Sequence, residues 1–390
     1  MNYTKLKYVA KYPTGKLNSN AAVEDGQYPF FTCAHEVYRI DKYAYDGEYV
    51  LLGGNNASGD FPIFYYNGKF EAYQRTYLIQ PLDTKKYDTH FLYYAIGLKL
   101  ELMKGNASGT ATKFLTQPIL NNITIENWNI EYQKKIVDIL SRYDQAIENN
   151  NKRIKILEQM AENLYKEWFV RFRFPGHENV EFEDGKPINW EILRLEDFGI
   201  DLESGSRPSG GIDDAIEDGV PSLGAEAVNG LAEFDYSSVK LVPYEFYEKL
   251  KRGKNKGNHI LVYKDGAYIG KVTIFRNEFP YKEYAINEHV FFLNSVDTDY
   301  QNYLYFTLHQ DAYFTTMQNL NRNAAQPGLS KPDMNRIKIT VPDKKTVLAF
   351  NEFVEPVFDE VFKLAKSNKI LIKQRDLLLP RLMSGKLEVK

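Results

Sequence analysis

The feature that most constrains the fold is an internal repeat. The segments TKFLTQPILNNITI (residues 112–125) and QPGLSKPDMNRIKI (residues 326–339) align without a gap, which pairs Leu115 with Leu329. The same constant offset continues through the segments that follow, whereas upstream it shrinks in steps, so that Gly15 pairs with Gly205. A repeat of this length indicates a duplicated domain and not a solenoid of short units.

A long helix is predicted after each copy of the repeat. Over residues 136–168 and again over 350–378, the seam side chains recur at alternating spacings of three and four residues, the heptad pattern of a coiled coil. Each seam contains one asparagine, Asn150 or Asn368. Antiparallel pairing that sets these two residues opposite each other also brings every seam position opposite another seam position. We therefore expect the pair to fix the register, because an unsatisfied buried amide is costly; the alternative is that Asn150 faces water.

The expected fold class is α+β, with two similar mixed α/β domains separated by two long antiparallel coiled-coil helices. Short apolar runs punctuated by glycine and asparagine predict strands and turns in both domains. The predicted boundaries are, in chain order, a first domain over 1–128, a helix over 129–172, a linker over 173–186, a second domain over 187–342, a helix over 343–380 and a tail over 381–390.

The composition excludes several classes of protein. Cys33 is the single cysteine, so no internal disulfide forms and a reducing cytoplasm is expected. The N-terminus has no apolar run, and no stretch approaches the roughly 20 apolar residues of a membrane span. The net charge of −3 argues against a non-specific polycation. Phosphate-loop, HExxH zinc and methyltransferase motifs are absent from the sequence, so we expect a non-catalytic binding protein without a metal or cofactor.

Two similar domains at a fixed separation suit a ligand with two separated sites, such as a DNA duplex with two half-sites. Phosphates attract lysine and arginine, whereas base edges are read by arginine, lysine, asparagine, glutamine and serine. On this chemistry the candidate DNA-binding residues are, in the first domain, Lys16, Asn18, Arg75, Lys113 and Gln117, and in the second domain, Ser206, Arg207, Lys256, Lys271, Arg322, Gln326, Ser330 and Lys331. The alternative for each of them is an ordinary residue of a solvated loop.

Two segments carry a resemblance to a known family. NLYKEWFVRFRFPGHENVEF (residues 163–182) and RDLLLPRLMSGKLEV (residues 375–389) resemble the hallmark segments of type I restriction–modification specificity subunits. The alternation of domain and helix and the repeated Leu-x-x-Pro-x-Leu/Met-x-x-Ile-x-Ile segment are similar to that family along the whole chain. The resemblance implies that each domain is a target recognition domain, which reads one half of a split, asymmetric site in double-stranded DNA.

The resemblance also implies a set of protein partners in a prokaryotic cytoplasm. The long helices would recruit two methyltransferase subunits, and through them the restriction subunits. Adenine-N6 methylation and ATP-dependent cleavage would then belong to those partners and not to this chain. The DNA-binding residues named above are inferred from their chemistry and are not carried over from the family.

Two other functions remain open on the residues alone. A two-domain scaffold that binds no nucleic acid would show no salt-dependent DNA affinity, whereas phosphate contacts give a steep dependence on salt. A separated specificity arm of a fused nuclease–methyltransferase would show activity as an isolated chain with S-adenosylmethionine and DNA.

Overall fold

The computed structural model describes residues 2–56, 59–105, 114–213, 215–237, 239–320 and 328–389. The chain divides into two compact units, one formed by Met1–Ile147 and Ile370–Lys390 and the other by Glu148–Lys369. Each unit therefore combines the α/β domain of one sequence copy with a helical segment from the other copy.

The first unit is built on a six-stranded sheet with the order β2-β7-β5-β6-β3-β4. The strands of this unit are β1 (Tyr3–Lys5), β2 (Ala10–Lys11), β3 (Tyr28–Phe31), β4 (Tyr38–Ile40), β5 (Tyr45–Gly53), β6 (Ile63–Ala72), β7 (Thr76–Pro81) and β8 (Thr124–Glu126), of which β1 and β8 pair separately. The helices of its domain are α1 (Thr89–Gly105) and α2 (Gln117–Asn122). Strand β5 is antiparallel to both β6 and β7, and β3 is parallel to β6. Helix α1 packs on this sheet, because Phe91 and Ile96 are buried in one core with Val50 and Ile79.

The second unit carries a longer version of the same sheet. Its strands are β9 (Phe182–Glu183), β10 (Lys186–Pro187), β11 (Glu191–Arg194), β12 (Ile200–Ser204), β13 (Val220–Leu223), β14 (Lys240–Val242), β15 (His259–Tyr263), β16 (Val272–Phe275), β17 (Ala285–Ile286), β18 (Val290–Ser295) and β19 (Lys338–Val341). The helices of this unit's domain are α4 (Leu195–Phe198), α5 (Tyr244–Lys249), α6 (Gln301–His309), α7 (Asp311–Leu320) and α8 (Lys331–Asn335).

The sheet of the second unit is divided where the first has one continuous strand. The orders β12-β18-β15-β16 and β14-β13-β17 together reproduce the order of the first unit, with β16 and β17 in the place of β6. Between them the chain contains Pro280 and two residues with positive φ, Asn277 and Glu278. Proline lacks the N–H that a sheet ladder needs, and positive φ is incompatible with an extended strand, so the ladder is interrupted there.

The two long helices begin in the same way. Helix α3 (Ile130–Tyr165) and helix α9 (Lys344–Met383) have 36 and 40 residues. Asn129 accepts a hydrogen bond from the Tyr132 N–H (2.8 Å), and Asp343 accepts one from the Thr346 N–H (3.0 Å). Asn129 and Asp343 occupy equivalent positions of the two sequence copies, so the N-terminal caps belong to the repeat.

The helices pair antiparallel within the second unit. The ring of Trp168, in a π-helical turn (Lys166–Val170) that extends α3, lies 6.0 Å from the ring of Phe350, while Asn150 lies against Asn368. The residue numbers thus rise along one helix as they fall along the other. Trp168 with Phe350 and Asn150 with Asn368 are both pairs that the heptad pattern predicted to lie opposite each other.

Helix α9 continues past the boundary expected at residue 380. It includes Pro380 and ends at Met383. The last residues, Leu382 and Met383, are buried in the core of the first unit, and the Trp128 Nε1–H donates to the Met383 carbonyl (3.0 Å). This packing offsets the cost of about 3 kcal/mol that proline imposes inside a helix.

Candidate nucleic-acid interface

In the first unit an open groove of about 620 Å³ lies where three chain segments meet, which are residues 12–14, 74–75 and 114–117. The backbone of Gly54 joins two of these segments. Its N–H donates to the Arg75 carbonyl (2.8 Å), and its carbonyl accepts from the Leu115 N–H (2.9 Å). Backbone contacts therefore frame the groove, together with the hydroxyl of the lining residue Tyr77, which donates to the Leu115 carbonyl (2.8 Å).

A glycine brings the chain close to the sheet at this groove. A Cβ atom on Gly15 would lie 2.2 Å from the Ala72 carbonyl oxygen. Its counterpart in the repeat is Gly205, where a Cβ atom would lie 1.7 Å from the Ile286 carbonyl oxygen. Only glycine permits such an approach, so the same close contact is built into both units.

Four of the five residues predicted for the first domain are exposed at or beside this groove: Lys16, Asn18, Arg75 and Gln117. Arg75 and Gln117 line it, and Asn18 accepts a hydrogen bond from the amide of the lining residue Gln74 (2.9 Å). Among the described residues no ion-pair partner of the Arg75 guanidinium is found. The fifth candidate, Lys113, lies outside the described residues.

The second unit repeats the two backbone hydrogen bonds of Gly54. The Lys264 N–H donates to the His289 carbonyl (3.0 Å), and the Lys264 carbonyl accepts from the Leu329 N–H (2.8 Å). These are the same two hydrogen bonds that Gly54 makes in the first unit. The repeat pairs Gly54 with Lys264 and Arg75 with His289, so backbone contacts and sequence alignment identify the same equivalent site.

The equivalent sites carry different side chains. The alignment of the two copies pairs Gln74 with Glu288 and Gln117 with Lys331. The second site is therefore more strongly charged than the first, although its backbone frame is the same. Two sites with the same backbone contacts and different donors and acceptors are suited to binding two different sequences of the same polymer.

Two of the basic residues predicted for the second domain are held at this second site. The Arg207 Nε forms an ion pair with the Glu288 carboxylate, and the Lys331 ammonium donates to the Leu202 carbonyl (3.1 Å). Both side chains are nevertheless partly exposed. Arg207 retains 50% of its side-chain exposure, so its guanidinium remains accessible to a ligand.

Lys256 lies in a loop that a buried histidine holds in place. Its ammonium is 3.2 Å from the Glu203 carboxylate, and its backbone N–H donates to Nε2 of His259 (2.9 Å). His259 is stacked on Phe292, and burial lowers its pKa to about 4. The imidazole is therefore neutral at pH 7 and accepts the N–H of Lys256, which fixes the base of the loop.

The remaining candidates are dispersed. Ser206 is exposed beside Gly205, whereas the Ser330 hydroxyl accepts from the Asp333 N–H (3.2 Å) in the capping box of α8. The Lys271 ammonium lies 5.9 Å from the centroid of the Tyr268 ring, and no described contact of its side chain joins it to the groove. Two candidates lie outside the described residues: Arg322 and Gln326.

The seam asparagines form a small amide network within the second unit. Asn150 Nδ2 donates to Asn368 Oδ1 (2.9 Å), and Asn368 Nδ2 donates to Asn151 Oδ1 (2.7 Å). Asn368 is only 8% exposed, so these bonds satisfy an amide that water reaches poorly. The involvement of Asn151 did not follow from the heptads, because Asn151 lies outside the seam.

Gln74 and Glu288 were not among the residues predicted from the sequence. Gln74 lines the groove of the first unit, and Glu288 is at the equivalent position of the second sequence copy. The alignment of the two copies was thus the signal that could have identified them. What it could not supply is their contacts, since Asn18 and Arg207 are distant from them in the chain.

Comparison with known proteins matches both copies of the repeat to one family. The model of the type I restriction modification DNA specificity domain matches residues 1–159 and 187–374. The chain belongs to this family. Both sequence copies are therefore specificity domains, and each match extends from an α/β domain into the long helix that follows.

Curated members of the family show how much of the chain is shared. The specificity subunit of the type I restriction enzyme EcoDI of Escherichia coli is 30% identical over a 283-residue alignment that covers 62% of this chain and 62% of that protein. The MjaIX specificity subunit of Methanocaldococcus jannaschii is 27% identical over a 321-residue alignment that covers 77% of this chain and 70% of that protein. The match to the first relative thus spans less than two thirds of its length.

A solved structure shares the fold of this chain. The type I restriction–modification S subunit from M. genitalium superposes with a TM-score of 0.57 at 18% identity, covering 98% of this chain and 96% of that one. None of the helices among the described residues is both long and apolar enough to span a membrane.

Proposed function

We propose that this chain is the DNA-recognition subunit of a type I restriction–modification complex. Each α/β domain reads one half of a bipartite, asymmetric site in double-stranded DNA. The chain itself carries out no catalysis. Adenine-N6 methylation and ATP-dependent cleavage belong to partner subunits, in the cytoplasm of a prokaryote.

The observation that carries this proposal is the pair of equivalent sites, which share their backbone contacts. The same backbone hydrogen bonds, at Gly54 and at Lys264, build both of them, while the side chains around them differ. A protein that reads two different half-sites on one duplex needs one docking geometry used twice with different base-contacting groups. Membership of the DNA specificity domain family supports this interpretation.

The partners are two methyltransferase subunits, which dock on the long helices, and restriction subunits that join through them. Exposed apolar side chains on the helices support this part of the proposal. They include Ile156 on α3 and Ile370 on α9, which occupy equivalent positions of the two sequence copies. Equivalent exposed residues on the two copies are what two copies of one partner require.

The proposal is tested by co-expressing the chain with its methyltransferase subunit and mapping methylated adenines across the host genome. A two-part motif with an unspecified spacer is the expected result. Methylation without a bipartite motif, or none at all, would overturn the proposal. A binding titration of the isolated chain gives an independent readout, because each phosphate contact steepens the plot of log K against log salt by about 0.9.

The isolated chain provides the control for catalysis. We expect no methyl transfer from S-adenosylmethionine and no DNA cleavage by the pure chain. Turnover by the isolated chain would instead identify a specificity arm of a fused nuclease–methyltransferase.

A further inference from the structure

An exposed arginine at the second site is held by a carboxylate. The Arg207 guanidinium contacts Glu288 Oε1 through Nε, and 50% of the arginine side chain is exposed against 31% of the glutamate. Among the described residues, the guanidinium has no other hydrogen-bond or ion-pair partner. Its terminal amino groups therefore remain available for a second, bidentate contact.

Glu288 is itself anchored. Its backbone carbonyl accepts a hydrogen bond from the Lys264 ammonium (2.9 Å) and another from the Ser204 hydroxyl (3.4 Å). Its Oε1 also lies 3.6 Å from His289 Nε2, while Oε2 is buried and has no hydrogen-bond partner among the residues that the structure describes. The two hydrogen bonds hold the backbone of Glu288, and the contact of its Oε1 with the arginine Nε limits the orientations that Arg207 can adopt.

The first groove lacks this device. Glu288 is replaced there by Gln74, whose amide donates to Asn18 (2.9 Å). Arg75, next to it, is exposed and has no ion-pair partner among the described residues. The two sites therefore present their arginines differently: Arg75 has no ion-pair partner among the described residues, whereas Arg207 is paired with Glu288.

The charges around Arg207 favour a base over a phosphate as its ligand. Glu288 is paired with Arg207, and Lys264 lies 3.8 Å from the Asp265 carboxylate, while the third cation, Lys331, donates to the Leu202 carbonyl. A phosphate contact gains most from uncompensated positive charge, and Glu288 offsets the charge of Arg207 itself. A guanine edge offers two neutral acceptors, O6 and N7, and binding it requires the direction of the donors more than net charge.

We propose that Arg207 reads a guanine in the half-site bound by the second unit, and that Glu288 is a positioning residue that orients Arg207 for this contact. The inference rests on the proposed function and adds a specificity-determining pair to it. Orientation before binding lowers the entropic cost of ordering a long side chain, so the pair increases discrimination and does not merely add affinity.

The test uses the complete complex with its methyltransferase subunits and compares methylation motifs for the wild type, Arg207→Ala and Glu288→Gln. Arg207→Ala should relax one guanine position, in one half-site only, by about 5- to 150-fold. Glu288→Gln should relax the same position to a smaller extent, because the amide keeps the shape but loses the charge that orients the arginine. The double variant should be no more relaxed than Arg207→Ala, since Glu288 acts through Arg207.

Arg75→Ala is the matched control and should change only the other half-site. The inference is overturned if Arg207→Ala leaves the motif unchanged, or weakens all sequences equally, as loss of a phosphate contact would. It is also overturned if Glu288→Gln relaxes no position while Arg207→Ala does. Absence of a bipartite motif in the wild type would instead count against the proposed function, so the two failures are distinguishable.

Discussion

Replacing one seam asparagine with leucine tests whether the amide network fixes the helix register. In Asn150→Leu, the Oδ1 of Asn368 loses its donor, and at 8% exposure water does not readily replace it. An unsatisfied buried acceptor costs about 1–3 kcal/mol. Leucine is a better helix former than asparagine by about 0.5 kcal/mol, so a net loss of about 1–2 kcal/mol is expected.

The double variant Asn150→Leu/Asn368→Leu should regain this stability. Replacing both partners by apolar groups removes the unsatisfied amide, and Asn151, which is exposed, can bond to water instead. The double-mutant cycle should therefore show a coupling energy of about 2 kcal/mol. Its cost should appear as a loosened register, because a uniformly apolar seam permits pairings shifted by one heptad.

Hydrogen exchange read by mass spectrometry on peptides around Asn150 and Asn368 is the suitable assay. A chain with two units does not unfold in one step, so a local measurement is more informative than a global midpoint. A loss of about 1.4 kcal/mol lowers local protection about tenfold. Asn149→Leu is the control, because Asn149 is exposed on the same turn. If Asn150→Leu is protected as well as this control, the amide pair does not hold the register.

Three further predictions concern stability. Gly205→Ala should destabilise the second unit by about 1–3 kcal/mol in a denaturant titration, because its Cβ would lie 1.7 Å from a backbone carbonyl oxygen. The control is Gly97→Ala on α1, where the nearest atom to the new Cβ is 4.0 Å away, and it should be neutral or stabilising in the same titration. His259, whose folded pKa is about 4 against an ordinary 6.5, should make stability fall as pH drops from 6.5 towards 4, by up to roughly 3 kcal/mol, and His259→Gln should remove that dependence. Glu158 has the opposite sign, because burial and the neighbouring Glu162 raise its pKa to about 7, so its contribution falls as pH rises from 4.5 to 7. Glu158→Gln should therefore gain about 1 kcal/mol at pH 8, after allowance for solvent screening, and little at pH 5, measured by denaturation at both values.

The sequence alone determined the features that depend on local periodicity and on duplication. The heptads predicted both long helices and the pairing of Asn150 with Asn368, because side chains three and four residues apart share one face of a helix. The repeat predicted two similar domains and paired Gly15 with Gly205. Each of these follows from spacing along the chain.

The tertiary structure decided which groups meet across long separations. Arg207 was a candidate by residue type, but its partner Glu288 is distant in the sequence and belongs to another strand connection. The exposed Asn151 joins the seam network for the same reason, since side-chain reach and not heptad position brings it to Asn368.

The end of α9 shows the same division. Local rules stop a helix before Pro380, yet the chain continues in helical form to Met383. Burial of Leu382 and Met383 and the hydrogen bond from Trp128, a residue 255 positions away, provide the compensating free energy. Backbone propensity is a property of neighbouring residues, whereas the packing that overrides it exists only once distant segments have come together.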